Sequence, residues 1–190
     1  MTSMKMKNIT THISLGIIFP LLFLSFIPVS QTVSEEISPS RKTQSRYHIV
    51  ISKKTYELKV YDSEGWFATY PCVFGSNDLT DKLMEGDKRT PEGTYKVIYK
   101  KQKAKWAYEL MLDYPTEANR KKFNERKAKG IIPQQARIGG GIAIHATRPQ
   151  EEWTVDHFQN WTDGCISLKY NEARDLFSYI DVGTMVTITK

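Results

Sequence analysis

Hydrophobic and polar positions change period several times along this chain. Residues 13–29 are dominated by Ile, Leu, Phe and Val, with no Asp, Glu, Lys or Arg between Lys7 and Glu35. From residue 46 the pattern becomes that of strands. Segments 46–52 and 55–61 are rich in β-branched and aromatic residues, and Tyr56, Leu58 and Val60 alternate with Glu57, Lys59 and Tyr61 as in a half-buried strand. The short Ser52-Lys53-Lys54 link joins the two as a hairpin. Asp62-Ser63-Glu64-Gly65 is a turn, and 66–74 reads as the next strand. After an irregular polar stretch, 75–89, the β-turn Thr90-Pro91-Glu92-Gly93 leads into a strand over 94–99. Segment 115–129 has no alternation and stops at Gly130, which predicts a helix. Short apolar runs at 142–145 and 166–168 are further strands. Asn171 caps a helix reaching about Ile180, and 184–189 closes the chain as a strand. The sum is a mainly β, mostly antiparallel fold with one or two accessory helices.

Composition narrows this further. The chain has 190 residues, 40% hydrophobic and 25% charged, which suits one globular domain and excludes a disordered chain. Lys5 and Lys7 before the apolar run, and small residues near Ser30, predict a signal peptide over 1–30. Pro20 and the short length count against a full membrane span, so an uncleaved anchor is the alternative. Residues 31–45, with six Ser or Thr, read as a flexible linker, leaving 46–190 as the domain. Export places the protein in the periplasm or cell envelope, out of reach of nucleic acid, with membrane contact only through an uncleaved N-terminal segment. The net charge of +6 is mild. It is also local, since residues 100–130 hold ten Lys or Arg against four Asp or Glu. Two readings of that run are a solvated helix face and contact with an anionic polymer.

Candidate chemistry gathers near the end of the chain. His145 closes an apolar run after Gly139-Gly140-Gly141, and Cys165 lies in Thr162-Asp163-Gly164-Cys165-Ile166-Ser167. Two readings of Cys165 stay open. In an exported protein it could pair with Cys72, the only other cysteine. Alternatively it is a free nucleophile, with His145 as its base and Gly164 letting backbone N–H groups approach a substrate carbonyl. His157, Asp156 and Asp163 lack the regular spacing of a zinc site.

These residues resemble the signature of the L,D-transpeptidase catalytic domain family, the YkuD-like cysteine enzymes of bacterial cell walls. That signature is a His, some fourteen to seventeen residues, then Ser or Thr, any residue, Gly, Cys, an apolar residue and Arg or Asn. Here sixteen residues separate His145 from Thr162. Leu58-Lys59-Val60-Tyr61, Tyr70-Pro71, Gly75, Thr90-Pro91-Glu92-Gly93-Thr94-Tyr95 and Val182-Gly183-Thr184 extend the similarity over about 46–190. The resemblance implies a β sandwich or barrel and a cysteinyl thioester mechanism. Cys165 would attack the third-residue carbonyl of a peptidoglycan stem tetrapeptide and release D-Ala. An amine from another stem would then form a 3→3 cross-link, while an envelope protein is another amine acceptor. His145 would serve as general base and acid, the Gly164 backbone would hold the oxyanion, and the Ala146 carbonyl would orient the imidazole. No metal or cofactor is implied.

Asp163 and Ser167 depart from the family pattern, which often has His and has Arg or Asn at those places. Thr162, Asp163, Ser167, Arg148 and Trp161 are expected along the substrate path, with Arg148 or Arg137 meeting a substrate carboxylate in place of the missing Arg or Asn. Trp153 and Trp161 flank the nucleophile. Alternatives are an L,D-carboxypeptidase or amidase on the same scaffold, a non-catalytic wall-binding domain, and a disulfide-locked structural domain.

Overall fold

The computed structural model describes residues 45–104 and 107–190. The expected leader, 1–30, and the linker up to residue 44 lie outside the described residues. Eight strands and three α-helices are described: β1 (His48–Ser52), β2 (Glu57–Asp62), β3 (Gly65–Pro71), β4 (Gly93–Ala104), β5 (Ala107–Leu112), α1 (Glu117–Ala128), β6 (Ala143–Ala146), α2 (Trp153–Asp156), β7 (Ile166–Leu168), α3 (Tyr170–Tyr179) and β8 (Met185–Thr189). One sheet orders the strands β3-β2-β1-β8-β4-β5-β6-β7. The hairpin β1–β2 is antiparallel with Ile49 opposite Val60 and Ile51 opposite Leu58, all four fully buried. Each such aliphatic side chain contributes about 1.5–3 kcal/mol by leaving water.

Two pairings depart from the antiparallel expectation. β1 runs parallel to β8, and β6 runs parallel to β7. Beyond the end of β3, Val73 and Ser167 of β7 exchange both backbone hydrogen bonds at 2.9 Å, bringing the two outer strands of the sheet together. The sheet therefore curls toward a barrel.

Side-chain parity over β5, β6 and β7 positions the site. Leu110, Leu112, Ile144, Ala146, Ile166 and Leu168 face the core, where Leu176 and Ala173 of α3 are also buried. Glu109, Met111, Ala143, His145 and Ser167 occupy the opposite face, because successive residues of a strand alternate sides. His145 and Ser167 thus lie together on one side of these three strands.

The predicted helix 115–129 is α1. Thr116 caps it by accepting from Asn119 N, while Asn119 Oδ1 accepts from Thr116 N at 3.0 Å. Its positive charge is partly engaged within the molecule: Arg126 donates to Asp81 Oδ2 at 2.8 Å and to the Lys82 carbonyl at 2.7 Å, and Lys122 lies 3.6 Å from Asp81. α1 therefore docks on the loop 75–92. That loop is also tied to the first hairpin by Lys53, 1% exposed, which donates to the Thr80 and Thr90 carbonyls and pairs with Glu92 at 2.8 Å. The expected Asn171 cap is displaced: α3 begins at Tyr170, with the Glu172 carboxylate accepting the Lys169 N–H at 3.2 Å.

Candidate active site

Glycines let three stretches of backbone converge on the turn before β7. A Cβ at Gly75 would stand 2.1 Å from the Lys88 oxygen and 2.6 Å from both Gly164 N and Thr162 O. At Gly164, φ is +122° and a Cβ would stand 2.7 Å from the Arg89 oxygen. Neither position has room for a side chain. The buried Thr162 hydroxyl locks the same turn, donating to the Cys165 carbonyl at 2.8 Å and accepting from Gly164 N–H at 3.1 Å. Just upstream, the Asn160 side chain accepts from Phe74 N at 2.7 Å and donates to Tyr56, Ser76 and Asn77. Trp161 and Thr162 N–H groups both donate to the Phe74 carbonyl.

Cys165 emerges from this turn as a half-buried free thiol, and Cys72 is a fully buried free thiol. The disulfide reading is therefore overturned. The Cys165 Sγ–H donates to the Gly141 carbonyl at 3.4 Å, and the Ala143 N–H hydrogen-bonds the sulfur. On the neighbouring strand the register pairs Ile144 with Ile166 and His145 with Ser167. Cys165 and His145 are then diagonal neighbours on one face, a separation of about 7–8 Å between backbones that long side chains can span.

His145 is 3% exposed, and its Nδ1 lies 2.9 Å from the Ala146 carbonyl. A carbonyl only accepts, so Nδ1 carries the proton and Nε2 is the basic nitrogen. The Trp161 ring meets the imidazole edge-on at 5.8 Å. Burial lowers the imidazole's affinity for a second proton, against a smaller opposing effect of the Ala146 carbonyl. Burial also pushes the Cys165 thiol up, helped by the Glu109 and Asp163 carboxylates and opposed by the Ala143 N–H. Both effects favour the thiol and the neutral imidazole forms.

Three sequence expectations are corrected. Gly164 N–H, expected to hold an oxyanion, is engaged by Thr162 Oγ1, while no contact above occupies the Asp163 and Cys165 N–H groups of this turn. Thr162, expected to meet substrate, is 4% exposed and bonded within the turn, so it holds the turn that carries Cys165 instead. Ser167 is fully buried beside His145 and cannot touch substrate in this arrangement. Asp163 is exposed at the turn's outer side. Arg148 is exposed and pairs with Glu151 at 3.1 Å, while Arg137 pairs with Glu85 at 3.0 Å. Trp153 is 55% exposed and lies edge-on to His157. Glu109, directly across from His145 in the β5–β6 register, was not singled out in the sequence. Its signal there is only an acidic residue in an otherwise basic segment.

The sequence matches the YkuD model, the L,D-transpeptidase catalytic domain, over residues 46–188. No curated protein matches it. Among solved structures, Bd1075 of Bdellovibrio bacteriovorus is similar at TM-score 0.57 and 20% identity, over 80% of this chain and 50% of that one. The helical cell shape determining protein Pgp2 of Campylobacter jejuni is similar at TM-score 0.57 and 24% identity, over 78% of this chain and 49% of that one. L,D-transpeptidase 3 of Mycobacterium tuberculosis, solved with a faropenem-derived adduct, is similar at TM-score 0.50 and 15% identity, over 76% and 60%. This chain spans about half the length of the first two.

Proposed function

Because the chain belongs to the L,D-transpeptidase catalytic domain family, we propose that it is a peptidoglycan L,D-transpeptidase working through a thioester on Cys165. The observation that carries this reading is the free Cys165 thiol on the same sheet face as His145, whose tautomer the Ala146 carbonyl fixes. His145 Nε2 takes the thiol proton as sulfur attacks the third-residue carbonyl of a stem tetrapeptide, then gives it to the departing D-Ala amine. Since both groups are neutral at rest, the proton moves during attack rather than before it. The Cys165 N–H receives the developing oxyanion. An amine of a second stem resolves the thioester into a 3→3 cross-link, and an envelope protein is an alternative acceptor. The proposal places this chemistry in the periplasm or envelope, reached by export.

The test is mass spectrometry of products from the full chain and Cys165→Ala, each incubated with disaccharide tetrapeptides of diaminopimelate type. Cross-linked dimers lacking D-Ala, formed only with Cys165, are the expected result. Tripeptide alone would move the activity to an L,D-carboxypeptidase. No product and no thioester on the folded, reduced chain would overturn the catalytic reading in favour of a wall-binding domain.

A further inference from the structure

Across β4 to β7 a single row of residues runs Lys101, Glu109, His145, Ser167, each directly opposite the next. Neighbouring strands lie about 4.8 Å apart, so this row sets a carboxylate immediately beside His145 and an ammonium one strand further out. Glu109 is half-buried, and among the described residues its carboxylate makes no hydrogen bond or ion pair. Lys101 is exposed and likewise forms no ion pair with it. A carboxylate without a protein partner beside His145 is open to a cationic ligand. It is also close enough to the nucleophile for its charge to be felt at Cys165.

We propose that Glu109 and Lys101 form the acceptor subsite, Glu109 taking the amine and Lys101 the carboxylate on the same carbon of a diaminopimelate-type side chain. The inference rests on the transpeptidase reading above and names its acceptor. Such a side chain ends in ammonium and carboxylate together, whereas a lysine side chain offers ammonium alone. Adjacent opposite charges fit the first and half-fit the second.

In the step itself, the bound ammonium first loses one proton to water. The neutral amine then forms the C–N bond, and the C–S electron pair returns to Cys165. The second amine proton passes through His145 to the sulfur. Glu109 orients the amine toward the thioester, and the same carboxylate favours the ammonium form. The cross-linked fraction therefore rises with pH.

The test reads the ratio of cross-linked to hydrolysed product, which is counted only over enzyme that has already acylated. The full chain, Glu109→Gln and Lys101→Met are each given a tetrapeptide donor with either diaminopimelate-type or lysine-type tripeptide as acceptor. Glu109→Gln is expected to lower the ratio about tenfold with both acceptors. Lys101→Met should lower it several-fold with the diaminopimelate type only, erasing the preference between them. A wild-type ratio in Glu109→Gln would overturn the proposal. Should Glu109→Gln form no product, a preserved acceptor preference in Lys101→Met would overturn it. A wild-type chain that releases no D-Ala would instead remove the transpeptidase reading itself.

Discussion

The two cysteines of this chain show how little a residue type says without its surroundings. Cys72 follows β3 with its N–H bonded to the Tyr56 carbonyl at 2.9 Å, and its side chain is fully buried among the core residues. Burial, reinforced by the Glu172 and Glu57 carboxylates, drives its thiol far above the ordinary range. Cys165 is also pushed up by burial, yet it keeps access to solvent, an N–H donor at its sulfur and an imidazole on the same face. One thiol is packing material, while the other stands on a turn that three backbone segments support.

The sharpest way to break this comparison is to exchange the roles by mutation. Cys165→Ala should lower turnover on the order of a thousandfold or more, with the fold intact by circular dichroism. Cys72→Ala should keep turnover and lose about 1 kcal/mol of stability. A folded but inactive Cys72→Ala would transfer the nucleophile assignment. His145→Ala should lower acylation about a hundredfold or more at pH 7, with partial recovery at higher pH where the thiolate forms unaided.

Gly75→Ala tests the turn itself. Its new methyl would collide with the Lys88 carbonyl and Gly164 N, so overpacking should cost about 1–3 kcal/mol in chemical denaturation and lower acylation further than that loss alone explains. Thr162→Val removes two hydrogen bonds while keeping shape, and leaves Gly164 N–H buried without its partner. The expected loss is about 1–3 kcal/mol, with a smaller fall in acylation than Gly75→Ala gives.

The smallest effect is one of pH. Because the Cys165 thiol is raised, its alkylation by iodoacetamide in the folded chain should still be climbing above about pH 8.5, and Cys72 should react only after denaturation. Because the His145 pKa is lowered, the acid limb of acylation should fall below about pH 6.5. A plateau in alkylation near pH 7 would mean a preformed thiolate and imidazolium, contrary to the neutral pair described here.

Much of this is legible in the sequence. The β1–β2 hairpin announced itself by alternation and the 90–93 turn by Pro and Gly. His145 and Cys165 stood out through their spacing and the family signature. β5 did not stand out, and neither did the extension of β4 through Lys100-Lys101-Gln102. Their residues carry weak strand preference, and pairing across the sheet decides their state. The parallel register of β6 and β7 joins segments twenty residues apart and has no local signal, yet it alone sets His145 beside Ser167 and diagonal to Cys165. Glu109 is hidden for the same reason: in the chain it is one more charge, and only the β5–β6 register carries it to His145. The Gly164 donor was misassigned because the Thr162 hydroxyl competes for it through a local turn that sequence spacing does not reveal.

The role of Cys165 is tested most directly by peptide mapping by mass spectrometry of the reduced full chain, quenched in acid during reaction with a stem tetrapeptide. The expected result is an acyl-tripeptide thioester on the peptide holding Cys165 and an unmodified Cys72 peptide. An adduct on Cys72, or none on either thiol in folded chain that is releasing D-Ala, would contradict it.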